Sequence, residues 1–361
     1  MLKLSKMIDI FKIKCRLRLL LPLRSLPWLR NFKEPAEQPQ CILCVTASGL
    51  GDVIMDLPAI HALKQKFPNA RLTVLAHFNS GGGEICKLAP AIDETIDTGL
   101  KNFRWPTVIF FMLGRFWMLL FQLRKKKFDL AIVFWPNPIR RLLLAGLGSR
   151  YWIYSNLKND FPGDQNLRLL QLLGIDSVDT KSIFQIPVPL NSQQILPDNL
   201  PRPFIGVHPF CGMAWRQWSK FDTLREHLSK LSGTVIVVGN RKDYNFKGLG
   251  PNLINKLSIA ELFWVIKQCD VFVTADSGPM HISLAVGTPT VALFGPVRPS
   301  MRISKQETTP HTALYKPSDE SEKTIHATQR KTLSNDAMQA ISLDEVIEAI
   351  EKTLNKTPPP P

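Results

Sequence analysis

Ser48, Gly49, Gly51 and Asp52 stand together in the segment SGLGD, directly after the apolar run CILCVTA. Glycines let a backbone turn tightly at the carboxyl end of a strand. A carboxylate at the start of the following helix can cap that helix or accept a proton from a substrate hydroxyl, and spacing alone leaves both roles of Asp52 open. A second group, Asp276, Ser277, Gly278, Pro279, Met280 and His281, lies between the strand-like VFVTA and a helix start. A small hydroxyl, a glycine and the unpaired N–H groups of a helix N-terminus suit a phosphate, because those donors and the helix dipole both favour an anion. A histidine there is more often a packing or capping residue than a catalyst, so His281 remains ambiguous. A third segment, HPFCGMAWRQWSKFD (208–222), offers Arg216 as a clamp for a pyrophosphate, with Trp215 and Trp218 as flat faces for a base or sugar. A basic loop with two packing tryptophans fits it equally.

Other chemistries fit less well. As a dinucleotide fingerprint the first glycine loop fails, since Ile54 occupies the third glycine position and cannot give the close helix packing that motif requires. Cys41 and Cys44 form a C-x-x-C, but they lie inside an apparent buried strand where positions three apart face opposite sides, and no second Cys or His pair follows at metal spacing. A core role for both cysteines is expected, with no metal site and no bound cofactor. The scattered six cysteines suit a reducing compartment.

The elements that must carry these residues alternate as βα units. CILCVTA (41–47), RLTVLAH (71–77) and FDLAIVF read as strands, DVIMDLPAIHALKQKFP as a helix, and such alternation predicts a parallel sheet with helices on both faces. Composition shifts at PVPLNSQQILPDNLPRP (187–203), which reads as a proline-rich linker. Beyond it the alternation restarts with FIGVHP, KFDTLREHLSKLS, TVIVVG, a helix near 258–268 and the DSGPMH segment. The expected organisation is a basic extension over 1–38, a first α/β domain over 39–188, a linker over 189–203, a second α/β domain over 204–335, a closing helix over 336–355 and a disordered tail over 356–361.

The net charge of +15 is concentrated in two places. Residues 1–33 hold nine Lys or Arg against Asp9 alone, and residues 101–127 hold seven with no acid, so these two segments carry the whole excess. In the first, the cations are interleaved with leucines up to Trp28, which departs from a secretory signal and fits the face of an anionic membrane or a disordered basic arm. The second flanks WPTVIFFMLGRFWMLLFQL (105–123), which approaches spanning length. The apparent strands before and after it must share one sheet, so it is expected to pack in the core or lie in the membrane interface. Positive charge here accompanies long apolar runs instead of a nucleic-acid motif, and no nucleic-acid partner is expected.

Taken in order, GLGDVIMDLPAIHALKQKFPNARLTVLAH, KFDLAIVF, HP...WRQW, DSGPMHISLAVGTPTVALFGPVRP and AMQAISLDEVIEAIEKTL resemble glycosyltransferase family 9, the heptosyltransferases of lipopolysaccharide core assembly. The resemblance spans roughly Cys41 to Leu354. It implies a GT-B fold of two Rossmann-like domains facing a cleft, with the acceptor mainly on the first and a nucleotide-sugar, ADP-heptose by family default, on the second. It further implies inverting transfer without a metal, to a lipid-linked saccharide at the cytoplasmic face of a bacterial inner membrane. By that resemblance Asp52 matches the base, Asp276, Ser277, Gly278 and His281 match the donor loop, and Arg216 takes the place of a phosphate-binding Lys. Asp243 is a candidate for gripping the donor ribose. The chain departs from the family at Phe210, where a small residue is usual, and at Ser219, where proline is usual. Two rival readings are a non-catalytic membrane-associated scaffold of the same fold and a GT-B epimerase acting on a free nucleotide-sugar.

Overall fold

The computed structural model describes residues 38–46, 49–77, 81–99, 111–149, 151–154, 161–176, 183–230, 233–241, 250–305, 307–317 and 333–356. Residues 1–33, 105–110, Ser48 and Asp243 lie outside the described residues, and the expectations placed on them go no further here.

The first half contains strands β1 (Cys41–Val45), β2 (Arg71–Ala76), β3 (Glu94–Asp97), β4 (Leu130–Val133) and β5 (Tyr151–Tyr154). Between and after them run helices α1 (Leu50–Lys66), α2 (Gly82–Lys87), α3 (Phe116–Lys125), α4 (Pro138–Leu147) and α5 (Pro162–Leu170). A short helix α6 (Ser192–Ile195) leads to the second half. There strands β6 (Phe204–His208), β7 (Thr234–Val237), β8 (Val271–Ala275), β9 (Thr290–Phe294) and β10 (His311–Tyr315) alternate with α7 (Phe221–Leu228), α8 (Ile259–Gln268) and α9 (Gly278–Ala285). Helices α10 (Asp336–Gln339) and α11 (Leu343–Lys356) close the described chain.

Each half builds one five-stranded sheet, in the orders β3-β2-β1-β4-β5 and β10-β9-β8-β6-β7, and every strand pair is parallel. Helices cover both faces, which is why β1, β4, β6, β8 and β9 are near-continuous apolar runs. Cys44 packs in the core cluster on one face and Cys41 against the cluster on the other, as expected for positions three apart in a strand. In each sheet the strand order reverses once, between β1 and β4 in the first and between β6 and β8 in the second. Open parallel sheets bind ligands outside the strand ends at such points.

Two stretches show more detail than their sequence reading. The proline-rich segment contains α6, and Ile195 and Leu196 are buried against the same core as β1 and α1, so it is docked as well as connecting. The long apolar run resolves, from residue 111 on, into a π-helical turn at Phe111–Arg115 and then α3. Phe116, Leu119, Leu120 and Leu123 are buried against β1 and β4, whereas Leu113, Trp117, Met118 and Phe121 face outward, so the element has both a core face and an exposed apolar face. No helix among the described residues is long and apolar enough to cross a membrane.

The two halves are in direct contact. Val53, Ile54 and Leu57 of α1 share one hydrophobic cluster with Phe263 of α8 and Ile282 of α9. Ser304 hydroxyl donates to Asp164 Oδ1 of α5 at 2.6 Å across the same boundary. Helix α11 packs Val346, Ala349 and Ile350 on the second sheet, and its start is fixed by Ser342 and Glu345, which bond each other's backbone N–H groups as a capping box.

Candidate functional site

The loops that follow the four strands at the two reversal points carry the site. After β1, helix α1 starts with Gly49 as its extended N-cap residue, so Asp52 is its third helical residue. The carboxylate folds back over Gly49, where any Cβ would stand 2.7 Å from Asp52 Oδ2. Asp52 stays half-buried, at the end of α1 that points toward the second domain. One turn later Asp56 is fully buried, and its Oδ1 accepts from Trp135 Nε1 at 2.9 Å and Asn166 Nδ2 at 2.6 Å.

The loop after β4 supplies a cation to this carboxylate pair. Asn137 caps α4 by accepting from the Arg140 N–H at 2.8 Å, and Arg140 Nη1 donates to Trp135 O at 2.6 Å. Burial lowers the Arg140 pKa, while Asp56 and then Asp52 act in the opposite sense, so its guanidinium lies within the field of both carboxylates. Sequence reasoning missed Arg140. Its signal was an Asn cap directly after a strand, which gains meaning only once β4 is known to lie beside β1.

In the second half, the loop after β6 forms a 3-10 turn at Ala214–Arg216. The Arg216 guanidinium lies 4.5 Å from the Trp215 ring centroid, and its Nη1 donates to Asp276 O at 3.0 Å and stands 3.4 Å from Asp276 Oδ2. Arg302 Nε donates to the same Oδ2 at 3.3 Å. Asp276 is only 3% exposed, so two guanidiniums hold one buried carboxylate and leave the cluster with a net positive charge. Arg302 was also missed, because a separation of 26 positions from Asp276 hides its pairing from any local pattern.

The tryptophan faces considered from sequence are spoken for. Trp218 is fully buried, donates to Ile341 O at 3.0 Å and packs edge-on against Phe221, while Trp215 is buried beneath Arg216. Packing wins because Trp218 is sealed by Ile341 and Phe221, and Trp215 is covered by the Arg216 guanidinium. Phe210, large where the family is small, is accommodated over Gly239, where a Cβ would meet its ring at 2.4 Å.

The loop after β8 sets up helix α9. Ser277 occupies its N-cap position, yet its hydroxyl makes no capping bond. It lies instead 3.0 Å from Thr274 Oγ1 and 3.2 Å from His208 Nδ1. Burial pulls the His208 pKa down to about 4, so the imidazole in this small network is neutral. The first-turn N–H groups of Gly278 and Met280 are thereby left without the serine cap, and Pro279 has no N–H to offer. The Met280 side chain is fully buried under β9, so toward any ligand Met280 presents backbone. His281 is buried and neutral, its pKa pulled down to about 4 chiefly by burial, with Asp276 opposing and Arg302 and Arg216 reinforcing that shift.

The two loops meet through glycine. A Cβ on Gly51 would stand 2.6 Å from His281 Cδ2, and a Cβ on Gly278 would stand 2.8 Å from Leu50 Cδ2. Only the missing side chains let the first turns of α1 and α9 approach this closely. Asp52 is therefore one residue from the contact, and the Arg216–Asp276–Arg302 cluster is directly behind it. Between α1, α5 and α9 opens a cleft of about 480 Å³ lined by Met55, Phe161, Asp164, His281, Arg302 and Ser304, among others. Among the described residues, no group of three His, Cys, Asp or Glu side chains is placed to hold a metal ion.

Residues 165–338 match the profile of "Glycosyltransferase family 9 (heptosyltransferase)". The lipooligosaccharide heptosyltransferase 2 of Campylobacter jejuni is 26% identical over 269 residues, covering 69% of this chain and 79% of that protein. Among solved structures, a family 9 glycosyl transferase from Veillonella parvula superposes with a TM-score of 0.70 at 19% identity, covering 88% of this chain and 98% of its own. The Escherichia coli ADP-heptose lipopolysaccharide heptosyltransferase II does so with a TM-score of 0.63 at 18% identity, covering 87% and 98%. The architecture is GT-B, with two Rossmann-like domains facing a cleft.

Proposed function

We infer what this protein does from the family to which it belongs, glycosyltransferase family 9. It is a glycosyltransferase, and we propose that it moves a heptose from an ADP-linked donor to a lipid-linked saccharide of the lipopolysaccharide-core type. Transfer is a single inverting displacement. The acceptor hydroxyl oxygen attacks the anomeric carbon, its proton passes to the Asp52 carboxylate, and the anomeric C–O bond breaks with its electron pair leaving on the nucleotide diphosphate.

One observation carries this reading: Gly51 and Gly278 let the first turn of α1 abut that of α9, so a half-buried carboxylate and an electropositive helix N-terminus lie side by side. The transition state gains positive charge on the sugar ring and negative charge on the departing diphosphate. Asp52 is complementary to the first, and the Gly278 and Met280 N–H groups with Arg216 to the second. We assign acceptor binding to the domain over 39–188 and donor binding to that over 204–335. We further place the protein on the cytoplasmic face of the inner membrane, in line with its basic apolar segments.

The test is a thermal-shift panel of nucleotide-sugars followed by turnover with and without acceptor. A donor selective for the native state raises Tm. ADP-heptose is expected to give the largest shift and to be consumed only when acceptor is present, with inverted anomeric configuration in the product. Consumption without acceptor, or a retained configuration, overturns the proposal.

A further inference from the structure

Among the described residues, eight large apolar side chains are exposed, and four of them lie on one element. Leu113, Trp117, Met118 and Phe121 are 75%, 56%, 61% and 61% exposed. Trp117 and Phe121 are spaced four apart and so lie about 6 Å apart along one side of α3, with Met118 beside them and Leu113 in the π-turn that leads into the helix. The opposite side of the same helix, Phe116, Leu119, Leu120 and Leu123, is anchored in the core against Leu43, Val45, Ala131 and Val133. The exposed row is thus fixed to the sheet that carries Asp52.

The charges carried by this segment itself are of one sign. Residues 101–127 contain no acid, and Arg124, Lys125 and Lys127 are exposed at the C-terminal end of the row, with Lys125 Nζ 4.5 Å from the Phe121 ring centroid. Lys126 turns away to pair with Glu94 at 2.7 Å, at the start of β3. At the other end the Arg115 side chain lies over Gly99, two residues past the end of β3. Helix α3 therefore runs from the sheet edge that bears the Asp52 loop to the opposite edge. The apolar row begins toward the sheet edge that bears the Asp52 loop, and the basic end lies toward the opposite edge.

We propose that the outward face of residues 113–127 is a docking surface for an anionic lipid bilayer, with Leu113, Trp117 and Phe121 inserted at the interface and Arg124, Lys125 and Lys127 on the headgroups. An aromatic and aliphatic row parallel to a helix axis, bordered by cations, matches the interface of a bilayer, where tryptophan and phenylalanine enter the acyl boundary and cations meet anionic headgroups. A second copy of the chain fits worse, since a two-fold contact through this face would set its own cations against each other. The inference extends the lipid-linked acceptor reading by naming the surface that brings the cleft to the membrane, and its rigid mounting on the sheet fixes how Asp52 is presented there.

The experiment is cosedimentation of the full chain with vesicles of phosphatidylcholine alone and of phosphatidylcholine with phosphatidylglycerol, free of substrate. Wild-type protein is expected to bind the anionic vesicles, and the double variant Trp117→Ser, Phe121→Ser is expected to bind at least tenfold more weakly at unchanged Tm. A chain lacking residues 1–33 is expected to keep binding that the same double substitution abolishes. Unchanged binding in the double variant overturns the proposal, as does a wild-type dimer in sedimentation velocity that the double substitution converts to monomer. Turnover with a water-soluble acceptor fragment reports the transfer reading separately, and it is expected to be equal in wild type and double variant.

Discussion

The two reversal points of the chain handle charge in opposite ways. At the first, Asp52 is half-buried at the start of α1 and so partly open to solvent, with Arg140 and the buried Asp56 near it. At the second, Asp276 is almost wholly buried, clamped by Arg216 and Arg302, and flanked by two neutral histidines. A group that exchanges protons must be reached by the substrate, whereas a group that sets a field works best when it is dry and cannot move. The contrast fits the proposed division of labour, proton transfer at the first site and holding of a departing anion at the second.

The sharpest way to break this contrast is Asp52→Asn. As a base, its loss is expected to lower kcat by about 10²- to 10⁴-fold while leaving nucleotide affinity, read by calorimetry, within a few-fold. Were Asp52 only a helix cap, the same change would cost at most about 1 kcal/mol of stability and spare turnover. Next in size is Asp276→Ala, which leaves two guanidiniums facing each other in a buried site. It is expected to cost about 3–5 kcal/mol of folding stability, measured by urea unfolding, and to weaken donor binding. Equal stability losses from Asp52→Ala and Asp276→Ala would erase the distinction between the two sites.

The neutral histidines provide a pH signature that belongs to the second domain. His208 and His281 have folded pKa values of about 4, below the ordinary 6.5, so between those values the unfolded chain binds more protons than the folded one. Stability is therefore full above about pH 6.5 and falls as the pH drops toward 4. The expected loss at pH 5 is about 2 kcal/mol per histidine, read as a lower urea midpoint. His281→Asn is expected to flatten that slope by about half.

How much of this was legible beforehand follows from the distance between partners. The strand, glycine loop and helix at 41–66 and the strand, polar loop and helix at 271–285 could be read locally, because period and turn residues sit in one window. Arg140 and Arg302 could not, since their meaning depends on β4 lying beside β1 and on the segment after β9 folding back to Asp276. The tryptophans of 208–222 misled for the same reason: whether a ring is a platform or a filler depends on Ile341, more than a hundred residues away. In the 105–123 run, apolar content hid two faces that only the helix phase after the π-turn separates.

The smallest expected effect tests the proposed diphosphate site at the start of α9. Ser277 stands at the N-cap of α9 but its hydroxyl shares hydrogen bonds with Thr274 and His208, so Ser277→Ala removes ordinary hydrogen bonds and no cap. The expected cost is about 0.5–1.5 kcal/mol in urea, with donor affinity changed only a few-fold. Ser277→Asp should separate the two roles of this terminus. A carboxylate at the N-cap satisfies the first-turn N–H groups and the helix dipole, so Tm is expected to rise or hold. The same carboxylate occupies the donors an anion needs and repels a diphosphate, so nucleotide affinity is expected to fall by at least tenfold. Stability and affinity moving in opposite directions would mean that the uncapped terminus is maintained for the ligand, whereas a parallel fall in both would make Ser277 a structural residue.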